Sequence, residues 1–280
     1  MKNNTIAIFL ATYFLFLMAH AGINGAPAAG QNASQNAGKM DAQAVYQLEP
    51  VSANRTILSE DKKAVELATC DYQAFTLSVV NLDALPPAEA ETAAQNMETF
   101  NSRMTALMEG TGEQDFDVGE AAKEAYADGF WIVAYYDDVV SYGAIEGEIV
   151  SVWSYRSCYT GGAHSNSYVS SYLFDLAAGQ FIPDPSQLAD DPAAFHAGAA
   201  EKLIEKADGW EDGSWGYWDD YQDIIRSGSG GVAHFDDTGL TVDYAPYELG
   251  CYAIGTVSLH LDWEELEPLL GPGGMARLGR

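Results

Sequence analysis

The residue with the clearest chemical potential is His164, which follows the sequence Tyr-Thr-Gly-Gly-Ala at residues 159–163. An imidazole titrates near neutral pH, so this ring could act as a general base, a metal ligand or a pH-dependent contact. The adjacent glycines allow backbone angles that a Cβ would forbid, and their turn should place the ring at a defined position. Catalysis would also need a nucleophile, an orienting group or a metal, and the local sequence supplies none. We therefore expect a structural or binding role for His164 and keep a hydrolase that uses it as an alternative.

A second candidate is the segment from Trp210 to Asp223, in which aromatic residues alternate with carboxylates. Aromatic faces stack on sugar rings or cationic side chains, while carboxylates bind hydroxyls, ammonium groups or calcium. The segment lacks the order of ligands found in a calcium-binding loop. We predict a recognition surface that includes Trp215 and Trp218; in the alternative interpretation the aromatic residues form a lid on the core.

Other polar residues give weaker signals. Asp137 and Asp138 are adjacent, as are Asp236 and Asp237, and neighbouring residues of a strand point to opposite faces. They therefore do not form the facing carboxylate pair of a glycosidase. No Gly-x-Ser-x-Gly motif and no histidine pair with zinc-binding spacing is present in the sequence. We predict no catalytic residue, no cofactor and no metal site.

The elements around the glycine turn read as strands. Residues 149–155 and 168–174 are rich in β-branched and aromatic side chains, which predicts a strand, a turn and a second strand. Two further strands are predicted at Gly239–Asp243 and Tyr252–Trp263, where apolar and polar residues alternate.

Helices are predicted between these strands. Pro86 and Pro87 open a helix that runs to about Glu109, because its small and apolar residues recur every three or four positions. Shorter helices are predicted at Val118–Tyr126 and from Pro192 to about Ala207. The mixture predicts an α+β fold, with antiparallel sheets and a few packed helices in two small subdomains.

The order of motifs resembles an extracytoplasmic domain of unknown function. That domain occurs in lysozyme-sensing anti-sigma factors of the RsiV type and in peptidoglycan deacetylases of the PdaC type. The matching motifs cover roughly residues 148–266: Tyr-x-Gly-Gly-Ala-His at 159–164, Phe-Asp-Leu-x-x-Gly at 174–179, Phe-x-x-x-Gly-Leu at 235–240 and Pro-Tyr-Glu at 246–248. A weaker resemblance to the small domain that precedes it in those families covers about residues 70–142.

The resemblance implies a binding function for lysozyme or cell-wall glycan. The candidate binding residues are those of the two family loops together with the two tryptophans, namely Tyr159, Gly161, Gly162, His164, Tyr247, Glu248, Trp215 and Trp218. A disulfide between Cys158 and Cys251 would join the two loops, although the sequence alone does not determine which of the three cysteines pair.

The first 21 residues have the features of a secretory signal peptide, with a short apolar run and the small-x-small motif Ala19-His20-Ala21. We predict a periplasmic or secreted protein that is monomeric and has no stable membrane insertion after cleavage. The predicted domains are a flexible linker at 22–57, an N-terminal α+β subdomain at 58–147, the family-like domain at 148–270 and a disordered tail at 271–280.

The formal net charge is −28, and removal of the signal peptide would make the chain more acidic because Lys2 is its one charged residue. Nucleic acid is therefore a poor partner, whereas lysozyme or another basic protein would be attracted. We predict an exported, non-catalytic binding protein that is lysozyme-binding or inhibitor-like. The alternative is a module that binds peptidoglycan or another cell-wall glycan.

Overall fold

Two β-sheets form the centre of the protein in a computed structural model that describes residues 45–61, 63–108, 118–129, 135–209 and 216–280. The larger sheet has six strands in chain order and the smaller has three. All neighbouring strands are antiparallel except β2 and β3, which are parallel. The strands are β1 (Tyr46–Leu58), β2 (Glu66–Val79), β3 (Tyr135–Glu146), β4 (Ile149–Tyr159), β5 (Asn166–Asp175), β6 (Gln180–Ile182), β7 (Val232–Phe235), β8 (Gly239–Tyr244) and β9 (Val257–Asp262).

Helices pack around the sheets, which confirms the predicted α+β class. They are α1 (Pro87–Met108), α2 (Val118–Ala127), α3 (Pro192–Asp208), α4 (Tyr221–Ser227) and α5 (Trp263–Arg277). The first three lie within a few residues of their predicted bounds. At the start of α3 the Asp191 carboxylate accepts hydrogen bonds from the backbone N–H groups of Ala193 and Ala194, at 3.1 and 3.0 Å. Among the helices that the structure describes, none has the length and apolar character needed to cross a membrane.

Strand β4 separates the two halves of the core because its side chains alternate between the faces of the larger sheet. Val150 and Val152 pack in one apolar cluster with Phe100 of α1, on what we call the helix face. On the opposite face, which we call the sheet face, Trp153 and Tyr155 contact residues of the smaller sheet. β4 is therefore packed on both faces, by α1 on one side and by the smaller sheet on the other, which fixes the position of the glycine turn at its C-terminal end.

Two predicted segments are more ordered than expected. The linker predicted at 22–57 is wrong for its last part, because residues 46–58 form β1, which pairs with β2 along its whole length. The predicted signal peptide at 1–21 and residues 22–44 lie outside the described residues. The tail predicted to be disordered at 271–280 instead belongs largely to α5, and Leu278 is only 1% exposed.

Charged contacts hold this C-terminal segment against the larger sheet. The Arg280 guanidinium pairs with Glu146 at 2.9 Å and lies over the Trp263 ring at 4.3 Å, while Arg277 pairs with Asp175. The Glu148 N–H donates to the Arg277 carbonyl at 2.7 Å. The C-terminal residues therefore fasten the turn between β3 and β4.

The predicted boundary between residues 147 and 148 falls in that turn. Strands β3 and β4 pair from Glu146↔Ile149 to Tyr136↔Tyr159, so the larger sheet is continuous across the boundary. Residues of the N-terminal half of the chain and of the family-like half thus share one sheet.

Candidate functional site

The glycine turn closes the hairpin between β4 and β5 beyond the pair Cys158↔Asn166. Gly161 and Gly162 have φ angles of +96° and +105°, which disfavour any residue with a Cβ. A Cβ on Gly162 would meet no atom within 4 Å, so the backbone angle and not crowding requires glycine there. The Tyr159 hydroxyl donates to the Gly162 carbonyl at 2.9 Å and braces the turn.

The turn presents His164 on the surface with both ring nitrogens facing polar partners. Nδ1 lies 2.9 Å from the Ser165 carbonyl oxygen, which accepts, so Nδ1 carries the proton. In the neutral ring Nε2 then accepts, and the Tyr247 hydroxyl is 3.5 Å from it. The ring also stacks on Tyr252, with centroids 3.9 Å apart and planes inclined by 21°. His164 is thus held in one orientation by Tyr247 and Tyr252, which belong to the second loop, the one that carries the Pro-Tyr-Glu motif.

The second loop carries the Pro-Tyr-Glu motif and displays Tyr247 at its tip. Tyr247 is 56% exposed and has a φ of +76°, a strained angle for a residue with a bulky side chain. The Trp218 indole N–H donates to the Tyr247 carbonyl at 3.2 Å, and the Trp218 backbone N–H donates to the Leu249 carbonyl at 2.9 Å. The tip is therefore anchored from the segment that precedes α4.

Glu248 has a structural role in this loop. Its Oε2 atom accepts a hydrogen bond from the Ala245 backbone N–H at 2.6 Å and so closes the turn. Burial raises the pKa of the Glu248 carboxyl, and the hydrogen bond from Ala245 opposes that rise. The carboxylate is engaged by its own loop, in contrast to the adjacent exposed phenol.

The structure brings most of the predicted binding residues together. We call the group formed by His164, Trp218, Tyr247 and Tyr252 the loop site. Trp215 lies outside the described residues. Tyr252 is not among the predicted binding residues, because the sequence predicts it as the first residue of a strand. It belongs instead to a short 3₁₀ turn at Tyr252–Ile254, and its nearness to the Pro-Tyr-Glu motif is the signal that could have identified it.

The predicted disulfide between Cys158 and Cys251 is wrong, because all three cysteines are free. Cys158 shares the parity of Val150 and Val152 along β4, so its side chain is buried on the helix face of the sheet. Cys251 belongs to the second loop, which contacts the glycine turn beyond the end of β4 and not the buried helix face where Cys158 lies.

Cys70 is the other conceivable partner of Cys158, but Asp137 stands between them in the sheet register. Two strand spacings separate the cysteines by about 9–10 Å, beyond the reach of a disulfide.

The adjacent acids Asp137 and Asp138 point to opposite faces of β3, as predicted. On the helix face Asp137 is 2% exposed and accepts two hydrogen bonds from the Arg156 guanidinium, at 2.7 and 2.8 Å. The Tyr72 hydroxyl donates to the same carboxylate at 2.7 Å, and burial followed by the Asp137 charge raises the pKa of Tyr72. This buried ion pair is satisfied within the protein and has a structural role.

A second polar cluster joins the two sheets. The His234 ring stacks on Trp153 with centroids 4.0 Å apart and planes inclined by 9°. The Asp243 carboxylate accepts from the Tyr155 hydroxyl at 2.7 Å and from the Ser258 hydroxyl. His234 Nδ1 is 3.5 Å from Asp243 but makes no hydrogen bond to a described residue. Burial lowers the pKa of His234, while the Asp243 charge opposes this effect.

No group of three or more potential metal ligands is present within the described ranges. The loop site itself offers aromatic faces, one imidazole and one exposed phenol. Such a group can stack on a planar or cyclic ligand and exchange hydrogen bonds with it.

Two of the solved structures that resemble this protein are DUF3298 family proteins. A member of the DUF3298 family from Bacteroides fragilis aligns with a TM-score of 0.51 at 17% identity, over 83% of this chain and 96% of that one. A DUF3298 family protein from Pseudomonas aeruginosa aligns with a TM-score of 0.41 at 15% identity, over 81% of this chain and 97% of that one. No protein-family model and no curated protein matches the sequence. The chain therefore has the fold of the B. fragilis protein, over a larger part of its length than residues 148–266.

Proposed function

We propose that the protein is an exported, non-catalytic binding protein whose loop site contacts a basic protein, with lysozyme as the first partner to test. The observation that carries this proposal is the exposed Tyr247 ring at the tip of an anchored loop. A rigid aromatic side chain offers a large contact area and loses little conformational entropy on binding. Its strained φ is maintained in the free protein by Trp218 and by the neighbouring turn.

The surroundings of His164 favour binding over catalysis. Its ring nitrogens face a backbone carbonyl and a tyrosine hydroxyl. A hydrolase would need a serine, cysteine or activated water at one of these positions. The imidazole instead supports the tyrosine that is most exposed in the second loop.

The net charge of −28 supports a basic partner. Asp219 and Asp220 are exposed next to Trp218, which places carboxylates beside the loop site. Opposite charges on two proteins accelerate association at low salt and disfavour acidic competitors. The resemblance to lysozyme-sensing proteins names lysozyme as the cationic protein to test first.

The test is a titration of the purified mature protein with lysozyme at about 0.05 M and 0.5 M salt, read by calorimetry and by lysis of cell walls. We expect a complex that is tighter at low salt and slows lysis. Tyr247→Ala should weaken the complex about 20-fold, the effect of a typical interface hot spot. Val80→Ala, another exposed apolar side chain, is the matched control and should have no effect. Unchanged lysis with no complex at low salt would exclude the proposal.

A glycan ligand remains the second candidate, because the rings of Tyr247 and Trp218 are 56% and 41% exposed and could stack on sugar rings. Sedimentation with insoluble peptidoglycan separates the two functions. Retention on peptidoglycan that is lost in Trp218→Ala, with no lysozyme complex, would assign the loop site to glycan.

A further inference from the structure

A line of side chains on the sheet face of β3 and β4 lies outside the loop site. It consists of Tyr136, Asp138, Val140 and Tyr142 of β3 with Trp153 and Tyr155 of β4, and we call it the strand strip. Tyr142 is 48% exposed and Val140 is 39% exposed, which is unusual for the central part of a sheet. From residue 136 to residue 142 the strip extends about 20 Å along the strand.

The aromatic end of the strip is flat. The Tyr142 and Trp153 rings lie nearly parallel, with centroids 5.8 Å apart and planes inclined by 21°. Tyr155 meets Tyr142 edge-on at 6.0 Å, and its hydroxyl is fixed by Asp243 at 2.7 Å. His234 covers one face of Trp153, so Tyr142 is the exposed ring of this pair, over which a planar cation such as a guanidinium group can lie.

The middle of the strip is acidic. Asp138 lies beside Asp71 of β2 in the sheet register. Asp71 accepts a hydrogen bond from the Asn54 amide, whereas the buried Oδ1 atom of Asp138 has no hydrogen-bond partner among the described residues. Burial raises the pKa of the Asp138 carboxyl, and the charges of Asp71 and Asp137 raise it further. The neighbouring carboxylates make the local potential negative. A bound cation would relieve this repulsion.

The other end of the strip leads to the loop site. Tyr136 pairs with Tyr159 across the strands, and their rings stack with centroids 6.2 Å apart. The Tyr159 hydroxyl in turn holds the Gly162 carbonyl of the glycine turn. Aromatic and acidic groups thus continue from Tyr142 to the loop that carries His164.

We propose that the strand strip is a docking surface for an arginine- or lysine-rich segment of a basic protein partner. Cationic side chains would stack on Tyr142 and pair with Asp138 and Asp71. Charge complementarity favours this occupant over a neutral glycan, which would leave the two carboxylates uncompensated. The inference deepens the proposed function, on which the identity of the basic partner rests, by assigning it a second contact.

The test uses the full mature protein and a fluorescent hexa-arginine peptide, with binding followed by anisotropy at low salt. We expect Tyr142→Ala and Asp138→Asn each to weaken binding about fivefold, the size of one cation–π contact or one partly exposed ion pair. Asp83→Asn is the matched control, because it removes the same charge from an exposed turn before α1. It should change binding less than twofold.

Several results would contradict the proposal that the strand strip binds a cationic segment. Equal effects of Asp83→Asn and Asp138→Asn would mean that the peptide responds to net charge alone. Binding of chitohexaose that is lost in Tyr142→Ala, with hexa-arginine binding unchanged, would make the strip a glycan surface. If Tyr142→Ala perturbs folding in circular dichroism, Val140→Lys provides a second variant; it should repel the peptide, and an unchanged affinity would contradict the proposal.

The same variants separate this inference from the proposed function. Loss of the lysozyme complex in Tyr247→Ala with no change in Tyr142→Ala or Asp138→Asn would keep the loop site and reject the strip. Absence of any lysozyme complex, with hexa-arginine binding that depends on Tyr142 and Asp138, would reject lysozyme as the partner and keep the strip.

Discussion

Two histidines in this protein make nearly the same contact in opposite surroundings. His164 stacks on Tyr252 at 3.9 Å on the surface, and His234 stacks on Trp153 at 4.0 Å between the two sheets, where it is 3% exposed. The local ring geometry therefore does not distinguish a binding residue from a structural one. Burial and the neighbouring groups do, because water can replace a lost partner at the surface but not in the core.

The largest expected effect on the free energy of unfolding comes from removal of Asp243, the carboxylate beside His234. Asp243→Ala removes a fully buried carboxylate, which leaves the half-buried Tyr155 hydroxyl without its acceptor and the buried His234 ring without its acidic neighbour. We expect the free energy of unfolding to fall by about 3 kcal/mol, measured by urea titration. Asp83→Ala, at an exposed position, should stay within about 0.5 kcal/mol of wild type. A loss below about 1 kcal/mol for Asp243→Ala would show that the cluster between the sheets is not a structural requirement.

The pH dependence of stability sharpens the comparison further. Burial holds the pKa of His234 below its usual value, so below about pH 6.5 the unfolded chain takes up a proton before the folded protein does. This contribution to stability is complete above the unfolded pKa and is lost as the pH falls through the folded pKa, with a slope of at most about 1.4 kcal/mol per pH unit.

Urea titrations of wild type and His234→Gln from pH 7.5 to 5 measure this contribution, because the difference between the two curves isolates one group. We expect the variant to lose less stability than wild type as the pH falls. Parallel curves would show that the folded protein binds the proton as readily as the unfolded chain.

A smaller effect is expected at the glycine turn. Gly162→Ala forces a Cβ into a φ of +105° and should cost about 1 kcal/mol of unfolding free energy. Gly129 has a φ of +73° and equally open surroundings, so Gly129→Ala is a matched control with a similar cost. Lysozyme binding should be weaker in Gly162→Ala than in wild type, and it should be unchanged in Gly129→Ala. Equal binding by both variants would mean that the turn does not position the loop site.

The smallest effect on stability is expected for His164→Ala. The ring is exposed, and water can satisfy the Ser165 carbonyl and the Tyr247 hydroxyl after its removal. The free energy of unfolding should change by no more than about 0.5 kcal/mol in urea titration. A loss above about 2 kcal/mol would place His164 with His234 as a structural residue and remove the contrast between the two stacks.

Sequence reasoning located the main elements because their signals are local. Residues 149–155 are strongly β-forming, and the helix predicted from Pro192 is confirmed as α3, which has Asp191 as its N-cap and Pro192 in its first turn. The meeting of His164 with Tyr247 could be anticipated only from the resemblance to a family in which both motifs occur. No spacing in the sequence indicates a contact between residues 83 positions apart.

The wrong predictions arise where long-range contacts override local composition. β1 contains Pro50 and many polar residues because it is an edge strand with much of its surface in water. The Gly-rich stretch after residue 270 is ordered by Arg277 and Arg280, whose carboxylate partners lie more than 100 positions earlier. Tyr252 joins the loop site for the same reason, through its contacts with His164 and with the Ser165 carbonyl.

The clamp formed by Arg277 and Arg280 on the β3–β4 turn has a consequence for synthesis. The Gly147 backbone approaches Gly279 so closely that a Cβ on Gly147 would lie 2.3 Å from the Gly279 nitrogen. A chain made from its N-terminus cannot complete this contact until residue 280 has left the ribosome. The turn between β3 and β4 therefore lacks this support until the segment that follows Arg277 has been made. Pairing of β3 with β4 can therefore begin before the turn that joins them gains this support.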